Sequence, residues 1–278
     1  MFPTKFNPKV TKNHVIILLV IFIFALLYLF FSSDDGNYED DYYAEEEIWA
    51  EECNVAGLIL QGDLYTYATD SDEEGYDMTS SESIVYYINE AEKDENIKAI
   101  VLEIDSGGGG AVAAEEVENA LRRASKPTVA LIRESGMSAA YWAATGADVI
   151  FASKNSDVGS IGVTMSYLDN TKYNQKEGYT YNQLSTGKFK DTLDPDKPLT
   201  YEEKQWLQEY LNILLGNFVD VVAENRNLEV AKVSVIANNG EVLGDEALEL
   251  GLIDRIGDIH DVKNYLAEVI EEEVELCW

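Results

Sequence analysis

Short apolar runs that alternate with helix-forming segments are the feature that most limits how this chain can fold. Five runs predict strands, and these are Val55–Gln61, Ile97–Asp105, Thr128–Ile132, Asp148–Ala152 and Ile161–Met165. Between them, Ser81–Asp94 and Ala111–Arg123 place apolar side chains at helical spacing. Strands that alternate with helices indicate an α/β domain built on a mostly parallel sheet.

The later part of the chain is predicted to be mainly helical. Thr200 and Glu203 form a capping-box pattern at the start of a long helix. Val230–Asn238 and Asp261–Glu271 predict two further helices, and Tyr179–Leu184 is a weaker candidate for a strand. The sequence has no internal repeat, so we expect a single copy of the domain.

Residues 15–31 form an uninterrupted apolar run that follows a short N-terminal segment, residues 1–14. A helix of this length is roughly 25 Å long, enough to cross the apolar core of a bilayer with some local thinning. A cleaved signal peptide is the alternative, but Phe30–Asp35 offers no cleavage site made of small residues. The run therefore predicts an uncleaved transmembrane anchor.

The distribution of basic residues predicts the orientation of that anchor. Lys5, Lys9 and Lys12 precede it, and the next basic residue along the chain is Lys93. The positive-inside rule then places the N-terminus in the cytoplasm. We expect a single-pass protein of the cytoplasmic membrane whose remaining residues lie on the extracytoplasmic side.

A strongly acidic segment links the anchor to the predicted domain. Residues 34–52 contain ten acidic side chains and no basic one, so residues 32–53 are interpreted as a solvated tether before a domain at 54–278. The formal charge of −32 argues against nucleic acid as a partner. Cys53 and Cys277 lie at the two ends of the domain, and the sequence leaves open whether they pair. No metal-ligand spacing is present.

Two candidate elements for chemistry follow neighbouring strands. Ser138 lies where the run Thr128–Ile132 gives way to the alanine-rich run Tyr141–Ala147, which predicts a strand, a tight turn and a helix. Gly107–Gly110 follows the strand Ile97–Asp105. In an open parallel sheet both would lie at the same edge. A serine at such a corner suits a nucleophile, and glycine N–H groups can stabilise an oxyanion.

Each of these elements also has an ordinary interpretation. Serine is a common helix N-cap, and a glycine run is a flexible turn or a phosphate loop, although this one lacks the Lys-Ser/Thr continuation. The two histidines, His14 and His260, are not well placed to serve Ser138. If Ser138 is a nucleophile, a lysine is the leading candidate for its base.

Five motifs together make the sequence similar to a known family. They are Asp105–Gly110, Met137–Tyr141, Gly159–Gly162, Gly187–Asp191 with Pro198–Glu203 after it, and Gly244–Asp254. Between about Val55 and Gly257 the chain resembles the signal peptide peptidase A family of serine-lysine peptidases. That resemblance implies a ClpP/crotonase-like α/β fold.

The resemblance implies a role for each matching residue. Ser138 would attack the scissile carbonyl, and a neutral Lys190 would act as the base. Gly109 and Ala139 would supply the N–H groups of the oxyanion hole, and Ser160 would orient the lysine amine. Lys188 is the competing base by spacing, but the family pattern of aromatic, lysine and acid selects Lys190.

The resemblance further implies the activity, the substrates and the assembly. We expect a membrane-anchored endopeptidase without cofactor or metal that cleaves hydrophobic peptides such as remnants of signal peptides. A homo-oligomer is expected, whether the serine and lysine come from one subunit or from neighbouring ones. A crotonase-like acyl-CoA enzyme is disfavoured by the lysine segment and by the extracytoplasmic location.

Two departures from the family pattern define the main alternative. Gly107 stands where the family has a proline, and Ala139 and Ala140 stand where it has glycines. Alanine would be strained if the backbone after Ser138 required positive φ. The alternative function is therefore an inactive membrane scaffold or binding protein with the same fold.

Overall fold

A computed structural model describes residues 48–50, 52–67 and 78–278. Trp49–Trp278 forms one compact unit. The predicted anchor, residues 15–31, lies outside the described residues, as does most of the acidic tether. Within the described ranges, no helix combines the length and the apolar character that a membrane span requires.

Nine described strands form one sheet. They are β1 Val55–Tyr65, β2 Met78–Ser80, β3 Ala99–Gly109, β4 Thr128–Met137, β5 Val149–Ala152, β6 Asp157–Gly159, β7 Glu241–Leu243, β8 Arg255–Ile256 and β9 Leu276–Cys277. The order of the main sheet is β2-β1-β3-β4-β5-β8. Every pairing is parallel except that of β6 with β7. The prediction of an α/β domain with a mostly parallel sheet is confirmed.

Eight described helices accompany the sheet. They are α1 Ser81–Lys93, α2 Ala111–Arg123, α3 Ala139–Ala144, α4 Thr171–Lys176, α5 Tyr201–Asn225, α6 Val230–Ala237, α7 Gly244–Leu250 and α8 Ile259–Ile270. Helix α5 begins with the predicted capping box, because Thr200 Oγ1 accepts from Glu203 N–H and the Glu203 carboxylate accepts from Thr200 N–H. The long helix therefore starts where the sequence places it.

The two faces of the central strands contribute to two apolar cores. Leu102 and Ile132 pack in the core shared with α1, α2 and α3. Val101 and Leu131, each one residue earlier in its strand, pack in a smaller core with Val262 of α8. Burial on both faces explains why these strands are continuous apolar runs and not alternating patterns.

Two predicted strands are wrong. Ile161–Met165 and Tyr179–Leu184 have no regular structure, and the strand in this region is Asp157–Gly159. Gly159 and Ser160 both have positive φ, which ends β6 before the apolar run starts. From residue 164 to residue 190 the side chains are mainly exposed, so this described segment offers no core face that would hold the run against the sheet.

The two ends of the described domain are joined covalently. Cys53 and Cys277 form a disulfide with a Cα–Cα distance of 5.9 Å, which answers a question that the sequence left open. Strand β9 pairs with the start of β1, and the Trp278 ring lies over Gly57. A Cβ on Gly57 would come within 2.4 Å of that ring, so residue 57 must be glycine for the C-terminal residues to pack against β1.

Candidate active site

Ser138 occupies a strained corner between β4 and α3. Its φ is 51° and its ψ is −125°, a conformation that costs a residue other than glycine on the order of 1–3 kcal/mol. The backbone holds it there, because Ser138 N–H donates to Gly159 O at 2.8 Å and Trp142 N–H donates to Ser138 O at 3.0 Å. Such strain is concentrated at functional sites, and here it falls on the predicted nucleophile.

The alanines that follow Ser138 are accommodated without strain. Ala139 and Ala140 lie in α3, are buried, and are absent from the described residues with positive φ. The left-handed position in this turn is Ser138 itself. Replacement of the family's glycines by alanine is therefore compatible with the turn.

Most of the glycine run, Gly107–Gly109, forms the end of β3 and is not a loop. Gly108 has φ 125° and lies directly against the serine turn, since a Cβ there would meet Ser138 Cβ at 2.8 Å. Gly109 has φ 148° and lies against β1, where a Cβ would meet Leu64 O at 2.0 Å. Sequence reasoning singled out Gly109 and not Gly108, although both belong to the same glycine run.

A buried serine ties this glycine-rich strand end to β1. Ser106 Oγ donates to Gly62 O at 2.5 Å and accepts from Gly108 N–H at 3.1 Å. Gly107, which replaces the family's proline, faces open space, because a Cβ on it would meet no atom within 4 Å. The Ser106 hydroxyl therefore restrains a segment that proline would otherwise stiffen.

Ser160 lies beside the serine turn through the pairing of β6 with β4. Met137 is paired with Gly159, and Ser160 follows with φ 48° in a half-buried position. Ser138 and Ser160 are two of the five described non-glycine residues with positive φ. The short pairing of β6 with β4 holds them close together. The structure brings the Gly159–Gly162 motif to the predicted nucleophile.

Among the described residues, no hydrogen bond connects the predicted base to the predicted nucleophile. Lys190 is exposed in a turn, where its N–H donates to Gly187 O at 3.3 Å. Among the described residues no hydrogen bond joins its amine to Ser138 Oγ. His260 lies exposed at the start of α8, and His14 is outside the described ranges.

Three lysines of this segment have different electrostatic surroundings. Lys188 Nζ lies 3.5 Å from Glu202, and Lys197 Nζ lies 2.5 Å from Glu203 Oε1. Lys190 has no carboxylate within 4 Å in the part of the chain that the structure describes. It is the lysine of the three that is left without an ion-pair partner.

Glu203 is a buried carboxylate at the start of α5. Burial alone would raise its pKa, but the hydrogen bonds from Lys197 and from the N–H and hydroxyl of Thr200 outweigh burial and lower the pKa to about 2. These hydrogen bonds therefore favour the ionised form of Glu203. No cluster of three or more potential metal ligands occurs among the residues with described positions.

The fold and site define an α/β domain with a serine on a strained strand-to-helix turn and a glycine-rich strand end packed against it. Residues 120–274 match the model of Peptidase family S49. The chain belongs to this family, and its resemblance to the signal peptide peptidase A family is thereby confirmed.

Three relatives illustrate the similarity. The chain is 34% identical to a putative protease of Methanocaldococcus jannaschii, over 66% of this chain and 61% of the relative. It is 30% identical to a putative signal peptide peptidase SppA of Enterococcus faecium, over 64% and 53%. It is 33% identical to a putative protease of Synechocystis, over 66% and 68%. The match thus spans about half to two thirds of each relative.

A solved structure of a ClpP1 mutant from Listeria monocytogenes is also similar to the chain. It is 12% identical, covers 74% of this chain and 92% of its own, and gives a TM-score of 0.49.

Proposed function

We propose that this protein is a membrane-anchored serine endopeptidase that uses Ser138 and Lys190 as a catalytic dyad. The observation that carries the proposal is the strained Ser138 turn with the glycine-rich end of β3 against it. Membership of Peptidase family S49 supports the reaction class.

The reaction needs no metal and no cofactor. Ser138 Oγ attacks the carbonyl carbon of the scissile peptide bond while a neutral Lys190 amine accepts the hydroxyl proton. The tetrahedral intermediate collapses as that proton passes to the leaving amine, which leaves an acyl-enzyme. Water activated by the same amine then releases the acid and restores Ser138.

Two N–H groups are proposed to stabilise the oxyanion. Ala139 N–H is the first of α3, where N–H groups have no partner within the helix. The second donor is Gly109 N–H. Its two neighbours are occupied, because Gly108 N–H donates to Ser106 Oγ and Gly110 N–H donates to Leu64 O.

The direction of the strand supports this choice of Gly109. Gly110 N–H points at β1, and successive N–H groups of an extended strand point to opposite sides. Gly109 N–H is then expected to point towards β4, the strand that leads into Ser138. Losing one such donor typically raises the barrier by about 3 kcal/mol.

Lys190 is preferred as the base because of what surrounds the three lysines. An ion pair favours the charged form of an amine, and Lys188 and Lys197 each have a carboxylate partner. Lys190 has none among the residues described. Ser160, which follows the carbonyl that accepts from Ser138 N–H, is proposed to orient the Lys190 amine.

A base that is exposed in one chain needs a second surface to cover it. Lysine must lose solvent to become neutral near pH 7, and we propose that a homo-oligomer provides this cover. Large apolar side chains that remain exposed from residue 165 onwards support such a surface, and they include Leu168, Tyr173, Tyr179, Leu184, Tyr201 and Ile213.

The proposed location is the extracytoplasmic side of the cytoplasmic membrane. The Cys53–Cys277 disulfide supports an oxidising compartment, where such bonds persist. Residues 15–31 would hold the site close to hydrophobic peptides such as signal peptide remnants, which raises their effective concentration. We therefore propose that these peptides are the substrates.

The test is hydrolysis of hydrophobic peptides by the full-length protein in detergent micelles. Ser138→Ala and Lys190→Ala should each lower kcat by about 10³-fold or more, while Lys188→Ala should retain activity. Equal activity in the parent, Ser138→Ala and Lys190→Ala would show that the site is wrongly assigned. No hydrolysis by an assembled parent across a broad peptide set would favour the scaffold function.

A further inference from the structure

A compact group of polar side chains surrounds the residues that follow Lys190, in an otherwise exposed part of the chain. It consists of Tyr181, Asp191, Thr192, Lys197 and Glu203, and is called the Glu203 cluster below. Glu203 is 3% exposed, and the Lys197 and Asp191 side chains are 13% and 15% exposed. Lys190 and Lys188, by contrast, are exposed to solvent.

Glu203 is the centre of this cluster and uses both carboxylate oxygens. Oε2 accepts from Thr200 N–H at 2.8 Å and from Thr200 Oγ1 at 2.9 Å. Oε1 accepts from Lys197 Nζ at 2.5 Å and from Thr192 Oγ1 at 3.2 Å. One carboxylate thus joins the start of α5 to a residue two positions from Lys190.

The second half of the cluster holds Asp191, the residue next to Lys190. Asp191 Oδ1 is buried without a hydrogen-bond partner among the described residues and lies 3.9 Å from Lys197 Nζ. Asp191 Oδ2 lies 3.2 Å from Tyr181 OH, which also lies 3.1 Å from Asp194 Oδ2. The residues that follow Lys190 are therefore tied to Tyr181 on one side and to Glu203 on the other.

We propose that the Glu203 cluster is a positioning device that fixes the backbone of Lys190, so that its amine meets Ser138 in a reactive geometry. This inference rests on the proposed function. A buried ion pair adds little net stability compared with apolar packing, so the cluster is better explained by the geometry that it imposes. Misplacing a catalytic group by about 1 Å can cost about 100-fold in rate.

The test uses four variants of the full-length, assembled protein. Glu203→Gln and Lys197→Met remove the ion pair, and Lys197→Arg keeps it. Glu202→Gln is the matched control, because it removes the neighbouring exposed carboxylate and the 3.5 Å ion pair with Lys188. Steady-state peptide hydrolysis gives kcat and KM, and hydrogen exchange reports on the turn N–H groups of Lys190, Thr192 and Asp194.

The expected result is a fall in kcat of about 10- to 100-fold with little change in KM for Glu203→Gln and Lys197→Met. The turn N–H groups should exchange faster in these two variants. Lys197→Arg should recover most of the kcat, and Glu202→Gln should match the parent in both measurements. Should Lys197→Met fail to fold, Tyr181→Phe removes one partly exposed hydroxyl from the same cluster and should lower kcat to a smaller extent.

The inference and the proposed function fail in different ways. Parental kcat and parental exchange in Glu203→Gln and Lys197→Met, together with an inactive Lys190→Ala, would overturn the role of the cluster and leave the dyad intact. Full activity in Lys190→Ala would remove the dyad, and with it the base that the cluster is proposed to position. A fall in kcat for Glu202→Gln as large as that for Glu203→Gln would also overturn the inference.

Discussion

The close approach of Gly108 to Ser138 predicts opposite effects for two adjacent glycine substitutions. In Gly108→Ala the new Cβ would lie 2.8 Å from Ser138 Cβ and 3.2 Å from Ala139 N, at a φ of 125° that alanine rarely adopts. In Gly107→Ala the Cβ would meet no atom within 4 Å, and φ is not positive there. A comparison of these two variants therefore distinguishes an effect of contact with the serine turn from a general effect of alanine at the end of β3.

The expected size of the effect follows from that geometry. Alanine at a disfavoured φ costs on the order of 1–3 kcal/mol, and about 1 kcal/mol corresponds to roughly 2–4 °C in Tm for a domain of this size. Gly108→Ala should therefore lower Tm by about 2–12 °C and, by moving Ser138, lower kcat by about 100-fold. Gly107→Ala should stabilise the protein by about 0.4–1 kcal/mol, because it restricts the unfolded chain.

Thermal unfolding and peptide hydrolysis of both variants check this prediction. Circular dichroism gives the Tm, and the kinetics are measured in the same detergent for parent, Gly107→Ala and Gly108→Ala. Equal Tm and equal kcat for the two variants would refute the reasoning, because they would mean that Gly108 does not pack against Ser138.

Three further predictions concern ionisation and the disulfide. Because the pKa of Glu203 is lowered in the folded state, its ionised carboxylate stabilises the fold above pH 4.5, and this stabilisation is lost as the pH falls towards about 2. Glu203→Gln should therefore flatten the pH dependence of Tm in that window. Activity should rise towards alkaline pH, because the proposed mechanism requires a neutral amine as the base, and a flat profile would contradict the dyad. The pKa of Tyr181 is raised to about 12 by partial burial and by its hydrogen bonds to Asp194 and Asp191, so its phenol should contribute little to that rise. A double variant, Cys53→Ala with Cys277→Ala, should lose about 2–5 kcal/mol in denaturant unfolding, and an unchanged midpoint would contradict a folded-state disulfide.

The regular elements could be predicted because the core imposes its pattern on the sequence. Ala99–Gly109 and Thr128–Met137 are apolar where both faces are buried, and α2 shows helical spacing where one face packs on the sheet. The ends of β3 and β4 could not be predicted in this way. Both strands continue through glycine, serine and acidic residues, which is where the sheet approaches Ser138 and not the core.

The failed strand at Ile161–Met165 has a different cause. A short apolar run predicts burial without saying what covers it, and here the chain leaves the sheet at Gly159 and Ser160. After Ile161, the run becomes progressively more exposed. Such a run can be buried in the protein's own core or against an apolar surface of another chain. The periodicity of a single sequence does not distinguish these two possibilities.

The turn at Ser138 could be predicted from the sequence, whereas the surroundings of Lys190 could be predicted only in part. Ser138 is held between a strand and a helix, with the glycine-rich end of β3 beside it, and these features leave a strong sequence pattern. The contacts of Glu203 with Thr192 and Lys197 depend on side-chain geometry across a loop. The sequence alone does not determine which of the possible side-chain arrangements is adopted. The motif singled out Lys190 as the candidate base, but nothing in the spacing indicated that Asp191 would lie against Tyr181.

These two halves also differ in what they still require. The strain at Ser138 and the N–H groups beside it exist within one folded chain, so this half is organised before any substrate or partner arrives. Lys190 is exposed, and among the described residues no hydrogen bond joins its amine to Ser138 Oγ. This half therefore still requires both desolvation of the lysine and its approach to Ser138. We propose that a neighbouring subunit or the bound substrate provides both, while the Glu203 cluster holds the residues that follow Lys190.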